Sequence, residues 1–319
     1  MMKIFIFIQQ ENGTVNRASL EALSGAQKVA ESTGGNLSAI TFNNDVAQSL
    51  TSYNLSEILL ANQSELADYN PLNYISALQQ TIDSEKPDIV LFAHTYEARD
   101  WIPRLGARLN VPFVADCIGF KNEDELMFIR QIYQGKINSD ISVSSSPILA
   151  SFQPGSYRVD EVSKGNASIR ELSLDLSTVA QTVRPGEKFQ EAKGEVDLSR
   201  AEIILSIGRG VGKEENLPVV KELAESLGAE LGASRPVVDY EWLPHERQVG
   251  SSGQTVSPKL YVAVGISGAV QHLVGMKGSD NIIAINKDEN APIFEVADIG
   301  VIADLFEIVP KLTEAIKNR

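Results

Sequence analysis

The sequence has few of the residues on which metal, disulfide and nucleic-acid chemistry depend. Its 319 residues include one cysteine, Cys117, and three histidines. A single cysteine excludes an internal disulfide and any Cys-x-x-Cys motif, and it favours a reducing compartment. The 28 basic residues are outnumbered by 42 acidic ones, for a net charge of −14. Because Lys and Arg must neutralise the phosphates and displace their counterions when a protein binds nucleic acid, we expect no nucleic-acid partner for this acidic chain. We also expect no metal site.

Long apolar runs are also missing. A membrane helix needs roughly 20 consecutive apolar residues, and no stretch approaches that length. The first apolar run ends at Ile8 and is followed by Gln9-Gln10-Glu11 with no small-residue cleavage site, so it predicts a buried strand and no signal or transit peptide. We expect no direct membrane insertion and a cytoplasmic location, or the mitochondrial matrix in a eukaryote.

The first half of the chain alternates short apolar runs with amphipathic stretches. Strands are predicted at 3–8, 37–42 and 87–93, and helices at 17–33 and 72–84. This order favours a mainly parallel sheet. From Val111 to Asp175 the helical period disappears, and β-rich runs at 126–133, 148–152 and 169–174 predict antiparallel strands appended to that sheet.

A polar stretch between Ser177 and Ser199 has the composition of a linker, and we expect domains at 1–185 and 200–319 joined by residues 186–199. The second domain is predicted to have strands at 201–206, 260–264 and 282–285. A helix is expected after Gly212, ending at Gly228, and a last short helix near Pro310. This order predicts a second doubly wound α/β unit.

Two glycine-rich turns could carry chemistry, because open α/β sheets bind ligands at the carboxyl ends of their strands. The turn Gly208–Gly212 has Lys213 where a dinucleotide fingerprint needs glycine, so alone it predicts a plain strand-to-helix turn. The turn from Gly265 to His272 has Ala269 where a hydrolase elbow needs glycine, which disfavours nucleophilic catalysis. At this point a flavin-free adenine-nucleotide-binding regulatory protein and a nicotinamide-dependent dehydrogenase both remain open.

A longer pattern around the second turn is more specific. The block Leu260–Met276, followed by Ile283-Ala284-Ile285-Asn286, resembles the signature of the electron-transfer flavoprotein α subunit. The resemblance is extended, in family order and spacing, by Ser234–Asp239, Gln248-Val249-Gly250, Ala291–Phe294 and Ala303–Phe306. Residues 1–185 share the layout of the family but little of its signature.

The resemblance implies an α/β chain of two doubly wound domains. The first would be a nucleotide α-hydrolase-like domain with appended antiparallel strands that pairs with a smaller β subunit, which in this family typically binds AMP. The second would be a smaller Rossmann-like or flavodoxin-like domain that binds FAD.

The implied function is electron transfer, without a catalytic residue or substrate chemistry of its own. Electrons would pass from flavin dehydrogenases, such as the acyl-CoA dehydrogenases of fatty acid β-oxidation, to a membrane quinone oxidoreductase. The alternative within the family is a bifurcating flavoprotein that oxidises NADH.

Carried over position by position, the resemblance also implies the FAD contacts. These are Arg209, Ser234, Arg235, Val249, Gly250, Ser251, Ser252, Ser267, Gly268, Ala269, Val270, Gln271, His272, Asn286, Asp304 and Leu305. The turn at Ser267-Gly268 with its following helix would face the pyrophosphate, Ser252 would lie near flavin N5, Arg235 over the ring and His272 near O2.

Two positions depart from the family pattern, and four of the proposed contacts have ordinary structural alternatives, among them His272, which taken alone would more often be a structural histidine. Family members often have glycine where Ile207 stands and glutamine where Ser251 stands. An exposed Arg235 could simply pair with Asp239 or Glu241. Asn286 and Asp304 could equally be turn or cap residues.

Overall fold

A computed structural model describes residues 1–133, 135–180, 182–186, 198 and 201–318. The chain divides into two compact units, Met1–Lys188 and Phe189–Arg319. The predicted linker, 186–199, lies outside the described residues apart from Gly186 and Leu198. In the described ranges, no helix combines the length and the apolar character that crossing a membrane requires.

The N-terminal unit is built around a nine-stranded sheet. The strands of this unit, nine in the sheet and two in a separate hairpin, are β1 (Lys3–Phe7), β2 (Gln10–Glu11), β3 (Thr14–Val15), β4 (Asn36–Thr41), β5 (Ile58–Leu60), β6 (Ile89–Ala93), β7 (Phe113–Asn122), β8 (Leu126–Ile132), β9 (Ile137–Ser142), β10 (Ile148–Phe152) and β11 (Ile169–Glu171). The strand order is β11-β5-β4-β1-β6-β10-β7-β8-β9, and β2 and β3 form a separate hairpin.

Helices cover both faces of this sheet. They are α1 (Arg17–Thr33), α2 (Asn44–Leu50), α3 (Pro71–Glu85) and α4 (Tyr96–Leu109). Alternate residues of β1 point to opposite faces, as the period of a strand requires. Ile4 and Ile6 pack with α1 and α2, whereas Phe5 and Phe7 pack with α3 and α4. The prediction of a doubly wound, mainly parallel sheet is confirmed.

The prediction that every late strand of this unit is antiparallel is wrong in part. Strands β8 and β9 do extend β7 in antiparallel fashion. Strand β10, however, lies between β6 and β7 and is parallel to both, and β11 is parallel to β5. For β10 the reason is burial: Leu149, Ala150 and Phe152 are almost fully buried, as in a central parallel strand covered on both faces.

The C-terminal unit contains a five-stranded, wholly parallel sheet. Its elements are β12 (Ile203–Ile207), α5 (Leu217–Leu227), β13 (Glu230–Ala233), α6 (Arg235–Asp239), β14 (Leu260–Val264), α7 (Val270–Val274), β15 (Ile282–Asn286), β16 (Ile299–Ile302) and α8 (Leu305–Lys317). The strand order is β13-β12-β14-β15-β16, which is the flavodoxin-like order. The predicted doubly wound second unit is therefore confirmed.

The last helix begins earlier than predicted. Asp304 caps α8, with its Oδ1 accepting a hydrogen bond from Phe306 N–H at 2.9 Å, and Pro310 lies inside the helix. Proline suits the first turn of a helix, which is why the sequence placed the start there. Helices α5 and α8 pack together on one face of the sheet, with Val220 and Val309 in their shared core.

Candidate functional site

A cavity of about 620 Å³ lies at the carboxyl edge of the C-terminal sheet. From β12 the chain crosses to β13 on one side and then to β14 on the other, and a crevice forms where the strand order reverses in this way. Twelve of the sixteen predicted contact residues line the cavity. They are Arg209, Ser234, Arg235, Val249, Gly250, Ser251, Ser252, Ser267, Ala269, Gln271, His272 and Asn286.

The other four predicted residues are not part of the cavity lining. Asp304 caps α8, and Leu305 is 6% exposed in the core beneath the site. Gly268 has a φ of 87° and lies against the backbone of Ile293, where a side chain has no room. Val270 is 40% exposed and begins α7. These residues shape or flank the cavity.

The turn after β14 forms the floor of the site. Gly265 has a φ of 64°, and a Cβ there would lie 2.9 Å from Gly210 Cα. This close approach lets Gly210 N–H donate a hydrogen bond to Gly265 O at 3.0 Å, which joins the two glycine-rich turns. Asn286 Nδ2 donates to Ile266 O at 2.8 Å, so the asparagine also acts as a turn residue. Because α7 has only five residues, the donors available here belong to the turn and not to a long helix.

A second wall is formed by the segment before β14. Val249 N–H donates to Ala233 O, and Ser251 N–H donates to Gln271 O, each at 2.8 Å. Gln248 is 3% exposed, and its Nε2 donates to Ser252 Oγ at 2.9 Å. Because Ser252 Oγ accepts this bond, its own O–H proton remains available for a ligand.

His272 is the most deeply buried ionisable group of the cavity, at 6% exposure. Its Nε2 lies 3.0 Å from the hydroxyl of the fully buried Tyr261. Burial lowers the pKa of His272 to about 4, and the backbone of Val249 opposes that shift only in part. The imidazole is therefore neutral at pH 7. Its Nδ1 is buried and lies outside hydrogen-bond geometry with every described residue, although the Val249 backbone is close enough to raise the pKa of the ring.

The charged groups lie at the open side of the cavity. The Arg235 side chain is 70% exposed, and its Nε lies 3.5 Å from Asp239 Oδ2. This is the surface ion pair that the sequence offered as the alternative role. Arg209 is exposed on the opposite turn, and Asp239 and Asp288 also line the cavity. Ile207, one of the two departures from the family pattern, is fully buried in the core and does not line the cavity.

Sequence reasoning missed Gln248 and Asp239 as members of the cavity. Both stand inside the motifs that carry the family resemblance, Gln248-Val249-Gly250 and Ser234–Asp239. Their position in those motifs was the available signal. What the sequence does not contain is the fold of the 248–254 segment, which turns the buried amide of Gln248 towards Ser252.

These residues fit a flavin dinucleotide. His272, which lines the cavity, has a buried ring nitrogen without a hydrogen-bond partner among the described residues, and such a group is stabilised when a ligand supplies an acceptor or donor. Glycine-rich turns allow the backbone to approach a pyrophosphate closely, and Arg209 and Arg235 supply positive charge.

Two family models match the chain. Residues 4–177 match the electron transfer flavoprotein domain, and residues 197–277 match the electron transfer flavoprotein FAD-binding domain. The cofactor is therefore FAD, which decides against a flavin-free regulatory protein.

Relatives that match over the full length of the chain indicate the same family. The chain is 36% identical to the electron transfer flavoprotein subunit alpha of Syntrophomonas wolfei, over 100% of both chains. It is 35% identical to the subunit of the same name from Bacillus subtilis, over 99% of this chain and 98% of that one. It is 34% identical to the acryloyl-CoA reductase electron transfer subunit beta of Anaerotignum propionicum, over 99% and 95%. The chain belongs to the electron-transfer flavoprotein α-subunit family, and its role is electron transfer through FAD.

Proposed function

We propose that FAD binds in the cavity at the carboxyl edge of the C-terminal sheet, with its ring between Arg235 and His272. The observation that carries this proposal is the unpartnered, buried Nδ1 of His272, a residue that lines the cavity and belongs to the segment that matches the FAD-binding domain. When bound, FAD supplies reversible one-electron redox chemistry. The protein binds and orients the cofactor and sets the energy of its charge.

Three side chains would tune that energy. The Ser252 hydroxyl, held by Gln248, would donate a hydrogen bond near flavin N5. His272 would donate from an uncharged ring near O2, and Arg235 would supply a full positive charge. Asp239, 3.5 Å from Arg235, offsets part of that charge. The hydroxyl of Ser251 stands where the family usually has glutamine, and it also lines the cavity.

The family implies a β-subunit partner and electron exchange with dehydrogenases. More specifically, we propose that the chain takes electrons one at a time from flavin dehydrogenases such as acyl-CoA dehydrogenases. It then passes them to a membrane electron-transfer flavoprotein-quinone oxidoreductase, without substrate chemistry of its own. In this proposal residues 200–319 bind FAD. Residues 1–185 pair with the β subunit, which would carry AMP. We place this exchange in the cytoplasm, where such a carrier would meet its dehydrogenases.

A second candidate function is favoured by the relative named as an electron transfer subunit of acryloyl-CoA reductase. In this alternative the chain belongs to a bifurcating flavoprotein that oxidises NADH, and the β subunit binds a second FAD in place of AMP.

The test uses the complex of this chain with its β subunit. Anaerobic addition of a catalytic amount of acyl-CoA dehydrogenase and its substrate should bleach the flavin absorbance, and NADH alone should not. Bleaching by NADH alone would contradict the proposed carrier function and support the bifurcating flavoprotein. A complex without flavin absorbance would refute both.

A further inference from the structure

A tyrosine that does not line the cavity lies directly behind its buried histidine. Tyr261, on β14, is fully buried, and its hydroxyl lies 3.0 Å from His272 Nε2. The tyrosine therefore contacts one ring nitrogen of a histidine that lines the cavity, and the other ring nitrogen, Nδ1, is buried and has no hydrogen-bond partner among the described residues.

The direction of this hydrogen bond determines what His272 offers to a ligand. A neutral imidazole has one N–H donor and one acceptor nitrogen. If Tyr261 donates to Nε2, the ring proton is on Nδ1, which is then a hydrogen-bond donor. If the imidazole donates instead, Nδ1 carries a lone pair and can only accept.

The surroundings of Tyr261 favour donation by the tyrosine. Burial raises the pKa of Tyr261, and Ser206 opposes this only in part, so the phenol keeps its proton. Within the described part of the chain, His272 Nε2 is the group in hydrogen-bond geometry with that hydroxyl. The hydroxyl of Ser206, on the neighbouring strand, falls outside such geometry. A buried O–H left without an acceptor is costly, so donation to Nε2 is preferred.

We propose that Tyr261 is a positioning residue that holds His272 in the tautomer with its proton on Nδ1, so that a neutral N–H donor faces FAD. The inference deepens the proposed FAD site and rests on it. An oxygen acceptor of the flavin completes the hydrogen bonding of the ring, and any negative charge gained there is stabilised without burying a cation.

The experiment observes the imidazole nitrogens directly. The chain has three histidines, His94, His245 and His272, so ¹⁵N-histidine labelling of this subunit alone, combined with an unlabelled β subunit, gives few signals. Long-range ¹H–¹⁵N correlation spectra of the FAD-loaded complex distinguish protonated from unprotonated ring nitrogens. Substitution of His94 and His245 in turn by glutamine assigns the remaining signals to His272.

We expect the parent protein to show His272 with a protonated Nδ1. Tyr261→Phe retains the ring and its packing, and should lower the ratio of the Nδ1–H to the Nε2–H tautomer by about fivefold. Ser206→Ala is the matched control, because it removes a buried hydroxyl from the same layer of the sheet and should leave the ratio unchanged.

Three outcomes would overturn the proposal. A protonated Nε2 in the parent would do so without any variant, even if Tyr261→Phe failed to fold. An unchanged tautomer ratio in Tyr261→Phe, or an equal change in Ser206→Ala, would show that Tyr261 does not set the tautomer. If the His272 signals were identical with and without bound FAD, the site would lie elsewhere, and the proposed function of this cavity would fail with the inference. The first two outcomes leave that function intact.

Discussion

At the residue scale, the buried neutral state of His272 links stability to pH. Its pKa falls from an ordinary 6.5 to about 4 on folding, so the unfolded chain binds a proton at pH values where the folded chain does not. The contribution of neutral His272 to the free energy of unfolding is therefore fully present above pH 6.5 and is lost as pH falls towards 4. Between pH 7 and pH 5 the loss should be about 2 kcal/mol.

This loss in the free energy of unfolding is measured by urea unfolding of the FAD-free parent and of the FAD-free His272→Gln protein at both pH values. The parent should lose about 2 kcal/mol more than the variant, since His94 and the carboxylates contribute equally to both. Parallel losses in the two proteins would mean that His272 is not held neutral by burial.

Arg235 gives a second prediction at this scale. A guanidinium beside the flavin favours the state with an extra electron, but its side chain is 70% exposed, so solvent screens the effect. Arg235→Ala should lower the first reduction potential of bound FAD by roughly 40 mV, equivalent to about 1 kcal/mol for one electron. Spectroelectrochemical titration of the complex measures this shift.

Asp239→Asn is the matched control for Arg235. It removes the ion-pair partner at 3.5 Å and keeps the guanidinium, so the potential should rise or stay level. If Arg235→Ala keeps the parent potential while FAD remains bound, Arg235 is only a member of a surface ion pair.

At the scale of elements, the joined turns below the cavity depend on Gly265. Its φ of 64° is matched by the φ of 62° at Gly228, where an added Cβ would have no atom within 4 Å. Gly265→Ala and Gly228→Ala therefore share a backbone cost of about 1 kcal/mol, and only the first adds a clash with Gly210. We expect Gly265→Ala to weaken FAD binding at least tenfold and Gly228→Ala to leave it within about twofold. Equal FAD affinities by fluorescence titration would exclude this role for the turn.

Local signals made some elements predictable. Helix α1 begins after its cap Asn16 and ends before Gly34 in the left-handed region, as its pattern predicts. Helix α4 is not predicted, because Pro103 lies within it. The neighbours of β10 could not be predicted either, because an apolar run such as Ile148–Phe152 reports burial but does not identify the strands beside it.

The same distinction separates the predicted from the missed parts of the site. The residues that line the cavity stand in contiguous motifs, so the resemblance found most of them. Gln248 and Tyr261 act through a second side chain, Ser252 and His272 respectively. Such pairings depend on the tertiary fold and on buried hydrogen-bond geometry, which a single sequence does not reveal.

At the scale of the whole molecule, the proposed division of labour predicts where FAD affinity resides. Every cavity residue lies between Arg209 and Asp288. A fragment beginning at Asp197 should therefore bind FAD with an affinity within about threefold of that of the isolated full chain, whereas residues 1–185 should bind none. Equilibrium dialysis of both fragments decides the matter. FAD retained by residues 1–185 would refute the assignment of domains.

The β subunit should determine how firmly FAD is held. Arg209, Arg235, Ser251 and Ser252 line the cavity and are exposed in this chain, so one side of a bound ring would remain in water. A partner that covers this side would exclude water and strengthen the hydrogen bonds and charge interactions at the ring, because both are stronger at low dielectric.

We expect the isolated chain to bind FAD at least tenfold more weakly than the complex with the β subunit. Dialysis against FAD-free buffer compares the two, with Gly265→Ala in the complex as the control for loss of FAD from a damaged site. A flavin-saturated monomer of this chain that exchanged electrons with an acyl-CoA dehydrogenase unaided would show that the chain needs no partner for its function.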